Sequence, residues 1–249
     1  MTDETERDFS FFHGLGGHRD IESYRELVND VRARRIAGLI FASGATEFRG
    51  TPVLDQPGIA RVAIANEYEL PGIPKLHVDY HSFFCRAIED LVQQGRRRIA
   101  VLFGSSPRDD DSDVVHAFTD CMRTRNLSVR PLWTQFADVW SPLAARRCLH
   151  LLLNAGQEDR PDGLILADDN FIPAATNGIR DAGIDVPGDL AVVALANFPI
   201  GIDPAVPVAH IGFDTRAMLQ TLADWIDLLR EGQNPPAFEA VPAITSHEW

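Results

Sequence analysis

Short apolar runs alternate along the chain with longer amphipathic stretches. Phe9–His13, Ala37–Ala42, Arg61–Ala65, Leu76–Asp79, Arg98–Phe103, Val129–Thr134, Pro161–Ala167 and Leu190–Leu195 read as strands. Between them, apolar residues recur at helical spacing from about Ile21 to Arg35, where Ile21, Tyr24, Leu27, Val28 and Val31 share a face and Asp20 is the expected N-cap. Further helices are expected at Ser82–Gln94 with Gly95 as its stop, Val114–Arg125, Pro142–Ala155, Pro173–Ala182 and Thr215–Arg230 with Thr215 as its cap; the tail Phe238–Ser246 reads as extended. Strands alternating with helices of this length imply βαβ units and parallel sheets. The near-continuous apolar runs Ile99–Phe103 and Leu164–Ala167 fit sheets covered on both faces. The 249 residues suffice for one large or two small domains.

Charge narrows the partners. Acidic residues outnumber basic ones 36 to 23, a formal net charge of −13, and Lys75 is the only lysine. Such a chain repels a phosphate backbone and is by itself a poor binder of nucleic acid. Cys85, Cys121 and Cys148 lie far apart, are odd in number and form neither a CxxC pair nor a zinc spacing, so a disulfide framework is not expected and a reducing compartment is the simpler reading. The acidic start has no apolar core of a secretory signal, and no apolar run reaches the ~18–20 residues of a membrane span, so the expected location is cytoplasmic with no membrane partner.

Several pieces taken together resemble the effector domain of the LacI/GalR family of transcription regulators. They are Val78-Asp79 before a helix, Gly95-Arg-Arg-Arg-Ile-Ala-Val-Leu-Phe-Gly104, Pro161-Asp-Gly-Leu-Ile-Leu-Ala-Asp-Asp169 and Gly183-Ile-Asp-Val-Pro-Gly-Asp-Leu-Ala-Val-Val193. Ser23–Ser43 is similar to the family's second helix and third strand. The resemblance implies an α/β fold of two Rossmann-like parallel-sheet subdomains flanked by helices, the type I periplasmic-binding-protein-like architecture, with a small ligand in the cleft between them. It places crossovers near Arg97, Gly212 and Pro235, so that residues 1–97 plus 213–234 form an amino-terminal subdomain and 98–212 plus 235–249 a carboxyl-terminal one. It also implies a homodimer.

Three departures from the family accompany the resemblance. Only an acidic octapeptide precedes Phe9, so the chain is expected to carry no helix-turn-helix. Phe9–His13 lines up with the family's second strand, which leaves its first strand and helix without a counterpart. The arginine expected four residues before Phe118 is Val114, and the aspartate expected after the "V-V-G-F/Y" run is Ala196. A polyhydroxylated sugar thereby loses two charge-assisted partners.

The expected ligand-binding set is Ser105, Ser106, Asp168, Asn197, Phe213 and Trp140. Ser105 and Ser106 follow a strand, where hydroxyls and amides face a ligand or merely form a βα turn. Asp168-Asp169 sits between a strand and a helix; ligand contact is the expectation for Asp168, and helix capping the main expectation for Asp169. Trp140 or Phe136 offers a ring to stack on a ligand, against a packing role. Gly14-Leu-Gly-Gly-His18 lacks the dinucleotide fingerprint, and Asp109–Asp113 lacks the glycine and distal glutamate of a calcium loop. His77 and His81 are expected on different elements, and no catalytic constellation or cofactor motif stands out. The expected function is therefore non-enzymatic: a sensor of a small sugar-like or nucleoside-like effector, working as a homodimer, with DNA reached only through a module outside this chain. The alternative is a degenerate interaction or dimerisation protein derived from the same family.

Overall fold

The computed structural model describes residues 8–12, 22–42, 44–66, 69–105, 112–139, 141–153 and 159–249. In chain order the elements are α1 Glu22–Ala33, β1 Gly38–Phe41, the single turn α2 Pro52–Asp55, β2 Ala60–Ile64, β3 Lys75–Val78, α3 Tyr80–Gln93, β4 Ile99–Ser105, α4 Ser112–Thr124, β5 Thr134–Asp138, α5 Pro142–Leu152, β6 Gly163–Leu166, α6 Ile172–Asp181, β7 Ala191–Phe198, β8 Ala209–Asp214, α7 Thr215–Arg230, β9 Phe238–Val241 and β10 Ile244–Thr245. The chain divides into two compact units, residues 1–77 with 219–239 and residues 78–218 with 240–249. The first division falls before α3, ahead of the crossing expected near Arg97. The reason is that α3 packs against α4, β7 and β8, all of the second unit.

The first unit holds a four-stranded sheet in the order β1-β2-β3-β9, with β1, β2 and β3 parallel. Tyr24, Leu27 and Val31, at the spacing that puts them on one side of α1, are buried with Phe41, Phe48, Val53 and Ala63. The Arg61 guanidinium donates to the carbonyls of Val53, Ile59 and Pro52 and so ties the α2 turn to β2. The strand expected at Phe9–His13 does not form over its described residues. Phe9 and Phe11 are 46% and 71% exposed, so this short apolar run joins no sheet over its described residues. His13, Asp20, Ile21 and the Gly14–His18 loop lie outside the described residues.

The second unit is built on a six-stranded sheet in the order β10-β8-β7-β6-β4-β5. All neighbours are parallel except β10, which runs antiparallel to β8. Successive residues of a strand point to opposite faces, and both faces are covered. Ala100, Leu102, Leu164, Leu166, Val192 and Ala194 meet Ala145, Leu149 and Leu152 of α5 and Ile172, Ala175 and Ile179 of α6. On the other face Phe103 meets Phe84 of α3 and Phe118 of α4, with ring centroids 5.8 and 5.9 Å away. This explains the uninterrupted apolar runs that first suggested buried strands. The starts of β4 and β6 are held in step by Asp162, whose Oδ1 accepts from the backbone N–H groups of Arg97 and Arg98 at 3.0 and 2.8 Å.

Local chemistry sets the helix ends. Asp79 caps α3 by accepting from Ser82 N at 3.0 Å, and Gly95, at φ 83°, takes the left-handed conformation that ends it. At α7 the cap is Asp214 and not Thr215: Asp214 Oδ1 accepts from Ala217 N at 2.9 Å, while Thr215 Oγ1 donates to Phe198 O. The strand expected over Val129–Thr134 is displaced to Thr134–Asp138. Pro131 starts a 3₁₀ turn that buries Trp133 beneath the Arg130 guanidinium, 4.3 Å from the ring centroid. β8 escaped the pattern reading, because His210 and Gly212 interrupt its apolar run.

The cysteine expectation is overturned. Cys85 of α3 and Cys121 of α4 are joined in a disulfide, with Cα atoms 5.1 Å apart, and Cys148 is free. Their 36-residue separation hid a contact that the side-by-side packing of α3 and α4 creates. Among the described residues, no helix is long and apolar enough to cross a membrane.

Candidate functional site

Parallel α/β sheets present ligand sites beyond the carboxyl ends of their strands, where successive connections leave in opposite directions. In the second unit that point lies between β4 and β6. The chain leaves β4 through α4 to its neighbour β5, and leaves β6 through α6 to β7 on the other side. The residues found there are Gly104 and Ser105 at the end of β4 and Asp168 just after β6.

Asp168 is extended, with φ −150° and ψ 128°, and caps the short turn Asp169–Phe171. Its Oδ1 accepts from both the backbone N–H and the Nδ2 of Asn170, each at 2.9 Å. Its Oδ2 lies over β4, 2.6 Å from where a Cβ on Gly104 would stand. Only a glycine leaves room for this carboxylate. Burial pushes the Asp168 carboxyl above its ordinary pKa, the bonds from Asn170 pull it down, and the neighbouring Asp169 charge pushes it up again.

Asp169 does not act as the cap expected of it, since Asp168 fills that place. Instead its Oδ2 accepts from Asn197 Nδ2 at 2.8 Å, which joins the turn to the end of β7. Asn197 is thus brought to the same edge, in register with Phe213 on β8. Phe213 is 2% exposed, and its ring meets Tyr80 edge-on at 6.1 Å, so it packs the wall behind this edge. Ser105 ends β4 opposite Asp138 of β5. Ser106 and Trp140 lie outside the described residues. Phe136, weighed with Trp140 as a stacking ring, is 45% exposed on β5 and stacks on Phe103 at 5.2 Å. At the two positions where the family resemblance calls for an arginine and an aspartate, Val114 is half-buried on α4 and Ala196 is buried in β7.

The reading from sequence missed Asn170 and the Asp169–Asn197 pair. The run Asp168-Asp-Asn170 after a buried strand was the available signal, because short polar side chains in that place bond to the nearby backbone and to one another. What the edge assembles is a set of fixed carboxylates and amides suited to hydrogen-bonding hydroxyl or amino groups.

Comparison with known proteins agrees with this architecture. Residues 88–246 match the model of the periplasmic binding protein-like domain. Catabolite control protein A of Priestia megaterium is 22% identical over 172 residues, 69% of this chain and 51% of that protein. The chain spans about half the length of the curated relatives it matches. A LacI-family regulatory protein from Chloroflexus aggregans superposes with a TM-score of 0.76 at 19% identity, covering 95% of this chain and 82% of that one. A LacI-family transcriptional regulator from Lactobacillus casei with bound glucose gives 0.70 at 20% identity, covering 92% and 84%. With its match running from α3 to β10 and its sheets wound as those regulators' are, the chain belongs to the periplasmic binding protein-like domain family, in the fold of LacI-family regulators.

Proposed function

We propose that this chain is the effector-sensing domain of a LacI/GalR-like transcription regulator and takes a small hydroxyl- or amino-bearing ligand at the carboxyl edge of the second unit's sheet. The observation that carries the reading is Asp168. It is a partly desolvated carboxylate, held by Asn170 against a glycine at the point where the chain connections diverge. Asn197, fixed by Asp169, supplies a second polar group from the neighbouring strand. A glucose-bound relative supports a sugar-like ligand. Val114 and Ala196 replace two charged partners, which favours a less hydroxylated ligand than a free hexose, a nucleoside being the alternative.

In this reading the chain acts as a homodimer, and the DNA-reading module is carried outside these 249 residues. Ligand then acts by its differential affinity for two conformations of the domain. The test is a thermal-shift screen of monosaccharides, disaccharides, nucleosides and amino acids against the wild-type chain and Asp168→Asn. Stabilisation by one class, lost in the variant, is the expected result; no shift with any of them overturns the reading.

A further inference from the structure

The contact between α3 and α4 gathers a second set of chemically active groups. His81 and Cys85 stand four residues apart on α3 and so share one face, one turn from each other. Cys121 reaches them from α4. The ligand atoms of all three lie within 4.8 Å of one another, with Cys85 Sγ 3.9 Å from both ring nitrogens of His81. Cys121 Sγ is 3.4 Å from the His81 carbonyl oxygen. The set is graded in depth: Cys121 is buried, Cys85 half-buried and His81 exposed, which leaves it open to solvent from the imidazole side.

We propose that the chain in its dithiol form binds a thiophilic divalent cation of the zinc class through His81, Cys85 and Cys121, and that the Cys85–Cys121 disulfide is the oxidised, metal-free form of this site. Two thiolates and an imidazole are the soft, tetrahedral donor set such an ion takes, with a fourth position left for water or an outside ligand. Metal–sulfur bonds of about 2.3 Å and metal–nitrogen bonds of about 2.0 Å place ligand atoms roughly 3.5 Å apart. That lies within the span of the cluster and near the sulfur–nitrogen distance observed.

The helices stay in place when the disulfide opens, because two further rungs join them. Phe84 meets Phe118 at 5.6 Å between ring centroids, and one turn beyond the cysteines Glu89 accepts from Arg125 Nε at 2.9 Å. The sulfurs therefore remain neighbours once they are no longer bonded.

The chemistry balances. A thiol reductant gives two electrons and two protons to the disulfide, leaving two protein thiols and the reductant's own disulfide. The cation then displaces both thiol protons, and neutral His81 donates a ring-nitrogen lone pair. The two thiolate charges cancel the charge of the ion. A disulfide oxidant runs the exchange in reverse: it takes two electrons from the thiolates and leaves as two thiols, the Cys85–Cys121 bond forms, and the ion is released to solvent.

The experiment uses the full chain in a Cys148→Ser background, so that only two thiols count. Reduced and oxidised samples, freed of metal, are titrated with Co²⁺ and then with Zn²⁺. The reduced chain is expected to take one Co²⁺ with sulfur-to-cobalt charge-transfer absorption that Zn²⁺ abolishes, and Zn²⁺ should shield both thiols from a thiol reagent. The oxidised chain should show neither effect. Cys85→Ser should abolish the charge-transfer band, and His81→Gln should weaken Co²⁺ binding by about tenfold or more while circular dichroism shows both folded. Co²⁺ bound without a sulfur band, equal binding by the oxidised chain, or binding unchanged in His81→Gln overturns the proposal.

Discussion

The Asp168 carboxylate rests on the bare Cα of Gly104, its Oδ2 at 2.6 Å from the place a side chain would take. The second-last residue of strand β4 is thus a glycine, facing the acid that follows strand β6. Gly104→Ala must push the carboxylate from its bonds with Asn170, or push Val139, whose Cγ1 lies at 2.8 Å. The expected cost is about 1–3 kcal/mol in urea unfolding. If Asp168 holds ligand as proposed, affinity falls with it, and isothermal calorimetry against the ligand found by screening would show both.

Asp168 also makes stability and binding pull in opposite directions. Burial raises its folded pKa above the unfolded value. The folded state therefore holds the proton more tightly, and this group's contribution is full below the unfolded pKa and is lost as pH rises through the folded one. Asp168→Asn removes the charge while keeping an oxygen that can accept from Asn170 N. Relative to wild type, the variant is expected to gain stability as pH is raised above about 4. Urea titrations at pH 4 and pH 7 would check the sign.

The start of α3 depends on two short side chains. Asp79 accepts from Ser82 N, and Ser82 Oγ donates to Asp79 O and accepts from Ala243 N at 2.7 Å. Asp79→Ala is expected to cost about 1 kcal/mol, the usual worth of a cap. Equilibrium unfolding of the variant measures it.

The aromatic group beneath α3 and α4 should be far less tolerant. Phe84 is fully buried among Phe83, Phe103 and Phe118. Phe84→Ala is expected to cost about 3–5 kcal/mol, through lost transfer energy and the cavity left behind. A lowered urea midpoint with an unchanged slope is the expected signature.

Much of this architecture was legible in the order of residues. The apolar runs at Arg98–Phe103 and Pro161–Ala167 became β4 and β6 because each is sandwiched between helices and needs no polar face. The glycine ending α3 was equally plain. Phe9–His13 misled because a short apolar run becomes a strand only where a neighbouring strand pairs with it, and its described residues join none. Val129–Thr134 misled because Pro131 turns the chain before Thr134 can enter the sheet. At the site, Asp168 was readable from its place after a strand. The Asp169–Asn197 bond was not, since 28 residues separate its partners and only the register of β7 brings them together. The cysteine pair failed for the same reason: distance along the chain says little about two helices that lie side by side.

Lys75 sits in β3 with 5% of its surface exposed, and it is the sole lysine of the chain. A protease that cuts only after lysine therefore finds one cleavage point, shut inside a sheet. Its cutting rate clocks how often that sheet opens, and each cut reports from the first unit alone. Amine-directed acylating reagents face the same closed door, so labelling of this side chain in the native protein would count unfolding events rather than surface chemistry.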